Sequence, residues 1–397
     1  MAINKEQNKL NVPHLRFPEF QGEWEKCKLG DIATLTKGSG ISKDQRSATG
    51  TPCILYGELY TTYKSEVINY VVNKTDISDK NLVRSCANDI IIPSSGETAI
   101  DISTARCVLS PDVLLGGDLN IIRLKDGDGR FFSYQLNGVR KHDIAKIAQG
   151  VSVVHLYGES IKGLTVSFPS NKEQQKISTL LSLIDERIAT QSKLIEDLKK
   201  LKSAIIEIEY TPNTKTTSPI GDVIEQISKR NKNNAIQNVL SVSNRQGFIK
   251  QSEQFENRNV ASEDTSNYKI VEQNDFAFNP ARINVGSIAR LTTFEKGIVS
   301  PMYVCFRTQE NVAPEYIDYF FESKHFYCEI QKRLEGSVRQ CLSFEGLCNI
   351  PLSLPSFEIQ QRIGKRIFTL EQKIKMETDL LELLNKQKQY LLRQMFI

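Results

Sequence analysis

Side chains able to do chemistry are present in this chain but nowhere assembled. The four histidines, His14, His142, His155 and His325, are scattered, and none recurs when the two halves of the sequence are aligned. The eight cysteines (Cys27, Cys53, Cys86, Cys107, Cys305, Cys328, Cys341 and Cys348) include no C-x-x-C pair. Reduced, mostly structural thiols are therefore expected, because a zinc knuckle needs paired thiolates at short spacing. No G-x-x-x-x-G-K-[ST] loop exists to grip a nucleoside triphosphate, and KGSG at 37–40 has too few glycines for a dinucleotide fingerprint. Asn279-Pro280 in NDFAFNPARINVG approaches the signature by which adenine methylases hold a flipped base, an Asn or Asp followed by Pro-Pro and an aromatic. Ala281 and Arg282 stand where the second proline and the aromatic would be, and no glycine-rich methyl-donor motif lies upstream. Pro111-Asp112 lacks the acidic-x-Lys that a nuclease would place after it. The chain reads as a non-enzyme with no metal or cofactor site of its own.

The loops offer hydrogen-bonding chemistry instead. SKRNKNN (228–234), SNRQG (243–247), NPARINVG (279–286) and EGSVRQ (335–340) set Arg and Lys beside Asn, Gln and Gly. Arg can bind guanine through two hydrogen bonds, and Asn or Gln can do the same with adenine. Gly and Asn also let backbone approach phosphate closely. The first half has thinner counterparts in TKGSGISKDQR (36–46), LYGELYTTYK (55–64), PSSGE (93–97) and AQGVSVVH (148–155). Any reading of nucleic acid must come from such local clusters, since 51 basic against 47 acidic residues leave a net charge of only +4.

The elements that carry these loops are written twice. PSNKEQQKISTLLSLIDERI (169–188) and PSFEIQQRIGKRIFTLEQKI (355–374) align at an offset of 186 (363 − 177), which also carries Gly150 onto Gly336 and Asn88-Asp89 onto Asn274-Asp275. GGDLNIIR (116–123) matches SPMYVCFR (300–307) only after a two-residue shift, and LGDI (29–32) matches IGDV (220–223) at 191. Two copies are a duplication, not a solenoid.

Each copy ends in a helical pattern. Ile177, Leu181, Ile184, Ile188, Ile195 and Leu198 step by four and three in the first, and Ile363, Ile367, Leu370, Ile374, Leu381 and Leu384 do so in the second. Both seams skip one site, at Gln191 and Glu377. A polar residue inside an apolar seam fixes register, so the repeated interruption predicts that the two helices pair with each other. About 38 helical residues would span roughly 57 Å. Before them, DIIIPSS, LNIIRL, IKGLTVSFP, AIQNVLSVS, GSIARL and MYVCFR read as strands of a mixed or antiparallel sheet. FFSYQLNGVRKHDIAKIA and EYIDYFFESKHFYCEIQKRL read as helices at matching places. The fold class is α+β: two similar modules, each followed by a long helix. The expected boundaries are an arm over 1–20, modules over 21–170 and 221–356, helices over 171–209 and 357–397, and a Thr- and Pro-rich linker over 210–220. With 40% hydrophobic residues, a polar N-terminus and no apolar run near the ~20 residues of a membrane helix, a cytoplasmic protein is expected.

These residues resemble the specificity subunits of type I restriction–modification enzymes. VPHLRFPEFQGEW followed by LGDI is similar to that family's N-terminal signature. QGVSVVHL, LTVSFP and EQQKI follow its later motifs, and EGSVRQCL, IPLSLP and EIQQRI repeat them, with Ile359 in place of the usual Glu. The resemblance implies two target recognition domains, each docking on one half of a bipartite site in double-stranded DNA, separated by an antiparallel coiled coil. It further implies that the helices set the spacer and dock two modification (methyltransferase) subunits, that restriction (translocase and nuclease) subunits join them, and that S-adenosylmethionine, ATP and Mg bind on those partners. The DNA contacts expected on this basis are Lys37, Ser39, Lys43, Tyr60 and Ser95 in the first domain and Lys229, Arg245, Arg282, Asn284 and Arg339 in the second.

Overall fold

The computed structural model describes residues 11–78, 81–211, 217–244, 246–254, 264–336 and 340–397. It divides into two compact units, one running to Ser192 and joined by Asp379–Ile397, the other Lys193–Thr378.

In the first unit, strands β1 (Ala33–Lys37), β2 (Thr51–Ile54), β3 (Val67–Ile68), β4 (Lys74–Thr75), β5 (Asp89–Pro93), β6 (Arg106–Val108), β7 (Leu114–Leu115) and β8 (Leu119–Leu124) build two sheets. Their orders are β1-β8-β5-β6-β3 and β4-β2-β7, with β2 parallel to β7. The run DIIIP is buried along its whole length because β5 is a central strand whose alternate side chains enter two cores, Ile90 and Ile92 in one and Ile91 in the other. In the second unit, β9 (Ile224–Ile227), β10 (Val239–Ser243), β11 (Gly247–Lys250), β12 (Lys269–Glu272), β13 (Phe276–Phe278), β14 (Ile288–Arg290), β15 (Lys296–Val299) and β16 (Val304–Thr308) form sheets ordered β9-β16-β13-β14 and β11-β10-β15-β12, with β10 parallel to β15. The two helix-like stretches are each split in two. FFSYQLNGVRKHDIAKIA becomes Gly129–Asn137 and Lys141–Ile147, broken at Gly138, and its counterpart becomes Pro314–Phe320 and Lys324–Gln331, the latter restarted by Ser323, whose hydroxyl accepts from Phe326 N.

The repeated Asn-Asp pair is a structural staple. Asn88 and Asn274 both sit at positive φ, 78° and 71°. Arg123 donates twice to Asp89 at 2.8 and 2.7 Å, and Arg307 twice to Asp275 at 3.0 and 3.1 Å. Such two-pronged ion pairs fix geometry as well as charge.

Two long helices, α1 (Asn171–Tyr210) and α2 (Phe357–Gln394), serve both units. The first core unites the start of α1 (Ile177, Leu181) with the end of α2 and the residues after it (Leu391, Met395, Phe396), around Trp24 and Phe131. Phe396 lies 5.1 Å from Phe131 and 6.4 Å from Trp24, ring to ring. The second core unites the end of α1 (Ile206, Tyr210) with the start of α2 (Ile363, Ile367). The Tyr210 ring lies tilted 4.8 Å from that of Tyr316, and its hydroxyl donates to the Tyr316 carbonyl at 2.6 Å. Within the second unit the helices run antiparallel, as Lys202 pairs with Glu371 at 2.5 Å and Glu209 with Arg366 at 3.0 Å. Along the seam Ile195 and Leu384 are buried and Ile188, Leu198, Leu370, Ile374 and Leu381 half-buried, while the polar interruptions Gln191 and Glu377 are buried too.

A buried lysine held between two carboxylates recurs in both units. In the first unit Lys388 of α2 binds Asp185 of α1 at 2.6 Å, binds Glu66, and lies 5.8 Å from the Tyr134 ring centroid. In the second, Lys202 of α1 binds Glu371 of α2, binds Glu322 at 2.7 Å, and lies 5.5 Å from Tyr319. Lys202 and Lys388, like Asp185 and Glu371, are 186 residues apart. Burial pulls both ammonium groups down, but the two carboxylates around each outweigh it and hold both above the ordinary lysine value.

Candidate nucleic-acid interface

In both units the turn leaving a central strand is braced by a tight hairpin. Gln149 and His155 exchange backbone hydrogen bonds at 2.9 and 2.7 Å, as Glu335 and Cys341 do at 2.9 and 2.8 Å. Leu156 N then donates to Ser94 O at 3.0 Å, and Leu342 N to Pro280 O at 3.0 Å. Gly150 (φ 120°) and Gly336 (φ 104°) make these hairpins possible; a Cβ at 150 would stand 2.1 Å from Val153 O. The repeated glycines seen in sequence therefore position the candidate loops and need not touch a ligand themselves.

In the first unit the candidates separate into three places. Lys37 ends β1, exposed and opposite Asn120. The Ser39 hydroxyl accepts from Val83 N at 2.8 Å, and its backbone bridges Gly116, which ties this side chain to the fold. Tyr60 and Ser95 come together: Ser95–Gly96 pairs with Val154–His155, and a Cβ on Gly96 would sit 3.3 Å from the Tyr60 hydroxyl. That hydroxyl is buried without a hydrogen-bond partner among the described residues, and burial drives it well above the ordinary phenol range. Lys43 opens a 3-10 turn (Lys43–Gln45), is exposed, and lines a cavity of about 660 Å³ that neither Tyr60 nor Ser95 reaches. Arg46, on the same cavity wall, is instead held by buried Glu58 at 2.5 Å.

In the second unit Lys229 is exposed just after β9, its carbonyl accepting from Ile270 N at 2.8 Å. Arg282 precedes the 3-10 turn Ile283–Val285, is exposed, and makes no side-chain hydrogen bond or ion pair among the described residues. It lines a cavity of about 360 Å³ with Asn244, Gln251, Asn279 and Met302. Asn284 is half-buried within the turn and does not line it. Arg245 and Arg339 lie outside the described residues. Other arginines are committed to the fold: Arg290, 8% exposed, binds Glu315 at 2.7 Å and Asp318 at 3.0 Å. Sequence reasoning missed Asn244, Gln251, Tyr56, Asp118 and Met302 as individual cavity-lining groups. The last two were signalled by the two-residue shift that brings 116–123 onto 300–307.

Among the described residues no three His, Cys, Asp or Glu side chains converge as a metal-binding set, and no helix is long and apolar enough to cross a membrane. All eight cysteines are free thiols, with burial pushing Cys305 up to about 12.

The chain is thus a two-module α+β protein with unlike polar loops on a repeated frame. The family model for the type I restriction modification DNA specificity domain matches residues 21–200 and again 212–386. The chain belongs to that family. A type I restriction enzyme specificity subunit of Methanocaldococcus jannaschii, MjaVIII, is 22% identical over 98% of this chain and 95% of its own length. A putative type I specificity subunit of Mycoplasma genitalium is 24% identical over 94% of both. Among solved structures, a type I restriction–modification S subunit from M. genitalium aligns with a TM-score of 0.63 at 18% identity, covering 97% of this chain and 99% of that one. A structure described in terms of complex assembly and conformational transition of the type I R-M system aligns at 0.53 and 13% identity, covering 93% and 96%.

Proposed function

We propose that this chain is the non-catalytic DNA-reading component of a type I restriction–modification complex. Residues 21–170 and 221–356 are the two target recognition domains, and each docks on one half of an interrupted site in double-stranded DNA. The helices set the distance between half-sites and carry two modification subunits, with restriction subunits recruited to the assembly. S-adenosylmethionine, ATP and Mg act on those partners, and the complex works in the cytoplasm.

The observation that carries this reading is the contrast between frame and loops. The Asp–Arg staples Asp89–Arg123 and Asp275–Arg307 repeat residue for residue, and the paired hairpins and the buried lysine between two carboxylates recur in both units with different partner residues. The loop positions do not: half-buried Gly96 stands where the second module has exposed Arg282, and half-buried Ser95 where it has exposed Ala281. A scaffold with no ligand would have no use for a duplicated frame bearing unlike free polar groups.

The test is to express the chain with its modification subunit in a host lacking adenine methylation and to map modified adenines by single-molecule sequencing. The reading expects one motif of two short half-sites around a fixed unspecified gap. A continuous motif, or none from an intact complex, contradicts it.

A further inference from the structure

Each of the two cavities is walled on one side by the same part of the duplicated frame. In the first unit β2 runs parallel to β7, with Ile54 opposite Leu115, and in the second β10 runs parallel to β15, with Leu240 opposite Val299. Ile54 and Leu240 differ by 186, Leu115 and Val299 by 184, two of the offsets that relate the copies along the sequence. The first cavity is lined by residues just past these strand ends, Tyr56 and Asp118, and the second by Asn244 and Met302. Crevices beyond the carboxyl ends of parallel strands are the favoured binding places of α/β sheets, because the following loops diverge there and can vary without disturbing the frame. Asp118 and Met302 are equivalent at the 184 offset yet opposite in chemistry, and both are exposed, Met302 by 59%. Asp118 is held at φ 57° beside Gly116 and Gly117, so a non-glycine residue is kept at a position where glycine is sterically easier.

The groups at each mouth are free to bind. Lys43 and Tyr56 in the first cavity, and Arg282, Asn244 and Gln251 in the second, make no side-chain hydrogen bond or ion pair among the described residues. Among the described residues the Asp118 carboxylate meets only the Ser94 hydroxyl, which donates to it at 3.5 Å. We propose that these equivalent cavities are the base-reading sites of the two modules, with Asp118 and Met302 as corresponding specificity-determining residues. This rests on the proposed function and adds which residues read and what they read. The first cavity takes a C·G pair: the Asp118 carboxylate accepts from the cytosine amino group while Lys43 donates to guanine O6 or N7. The second takes a stretch containing an A·T pair: Asn244 or Gln251 binds adenine, Met302 lies against the thymine methyl, and Arg282 binds a neighbouring guanine.

The test uses the whole chain co-expressed with its modification subunit and compares mapped motifs of wild type, D118N and M302A. Asparagine keeps the shape and tolerates positive φ, so D118N alters only what the side chain accepts and donates. D118N should lower discrimination at one C·G pair of one half-site by about tenfold or more and leave the other half-site intact. M302A should do the same at one A·T pair of the other half. Unchanged motifs from assembled variants overturn the assignment, as does a uniform loss of affinity across sequences with a reduced salt slope, which marks phosphate contact. If either variant fails to assemble, Lys43→Ala, in an exposed 3-10 turn, and Gln251→Ala, half-buried at the start of a short helix, are read by the same two criteria. A wild-type complex that shows no bipartite motif defeats the proposed function itself, an outcome distinct from a bipartite motif these variants do not change.

Discussion

At the scale of single residues, the structure sorts charged groups by whether the fold already uses them. Arg290, Arg307 and Arg123 are engaged with carboxylates, whereas Arg282 is not. Arg282→Ala should therefore leave thermal stability within about 0.5 kcal/mol. If Arg282 reads a base it should relax one half-site only, a change visible in competition binding against duplexes altered in each half. The buried lysines make the opposite prediction. Lys388→Met leaves Glu66 and Asp185, 11% and 7% exposed, without their cation, and should cost about 3–5 kcal/mol in urea unfolding. Both lysines are held above their ordinary value, so the stability they contribute is fully present below about pH 10.4 and is lost as pH rises through the raised values. The gap between wild type and Lys388→Met should accordingly be the same at pH 6 and pH 9. None of this sorting is written in the sequence, where Arg282 and Arg290 look alike. Partnership depends on residues distant along the chain, as with Arg290 and Asp318.

At the scale of elements, periodic patterns were legible and their terminations were not. The heptad spacing marks both long helices, and the strands DIIIP, LNIIR and VCFRT follow their apolar runs. The breaks at Gly138 and Ser323 were missed because apolar spacing continues across them while a glycine and a capping hydroxyl locally outcompete it. What each helix end does was also hidden. The apolar spacing of the second helix runs on through Leu391 and Met395 as though the seam continued, yet Met395 and Phe396 are core residues of the first unit, and Tyr210 is a core residue of the second. Phe396→Ala should destabilise the first unit by about 3–5 kcal/mol. Because the single tryptophan, Trp24, lies beside Phe396, its native emission should change in that variant and stay unchanged in Tyr210→Ala, which strips the other core. Equal changes in both variants would refute separate cores.

At the scale of the whole molecule, the duplicated frame with unlike loops is the feature that any account of function must use. Each core is completed by parts of both helices, so a module cannot be exchanged together with its following helix without disturbing both units. Exchanging residues 216–356 alone leaves α1 and α2 in place. The most direct measurement is therefore to replace 216–356 by the corresponding segment of a relative with a different motif, co-express the chimaera with the modification subunit, and map the modified adenines. The account predicts that one half-site changes to the donor's while the other half-site and the gap remain. A chimaera that assembles and methylates but keeps both original half-sites, or changes both, would contradict it.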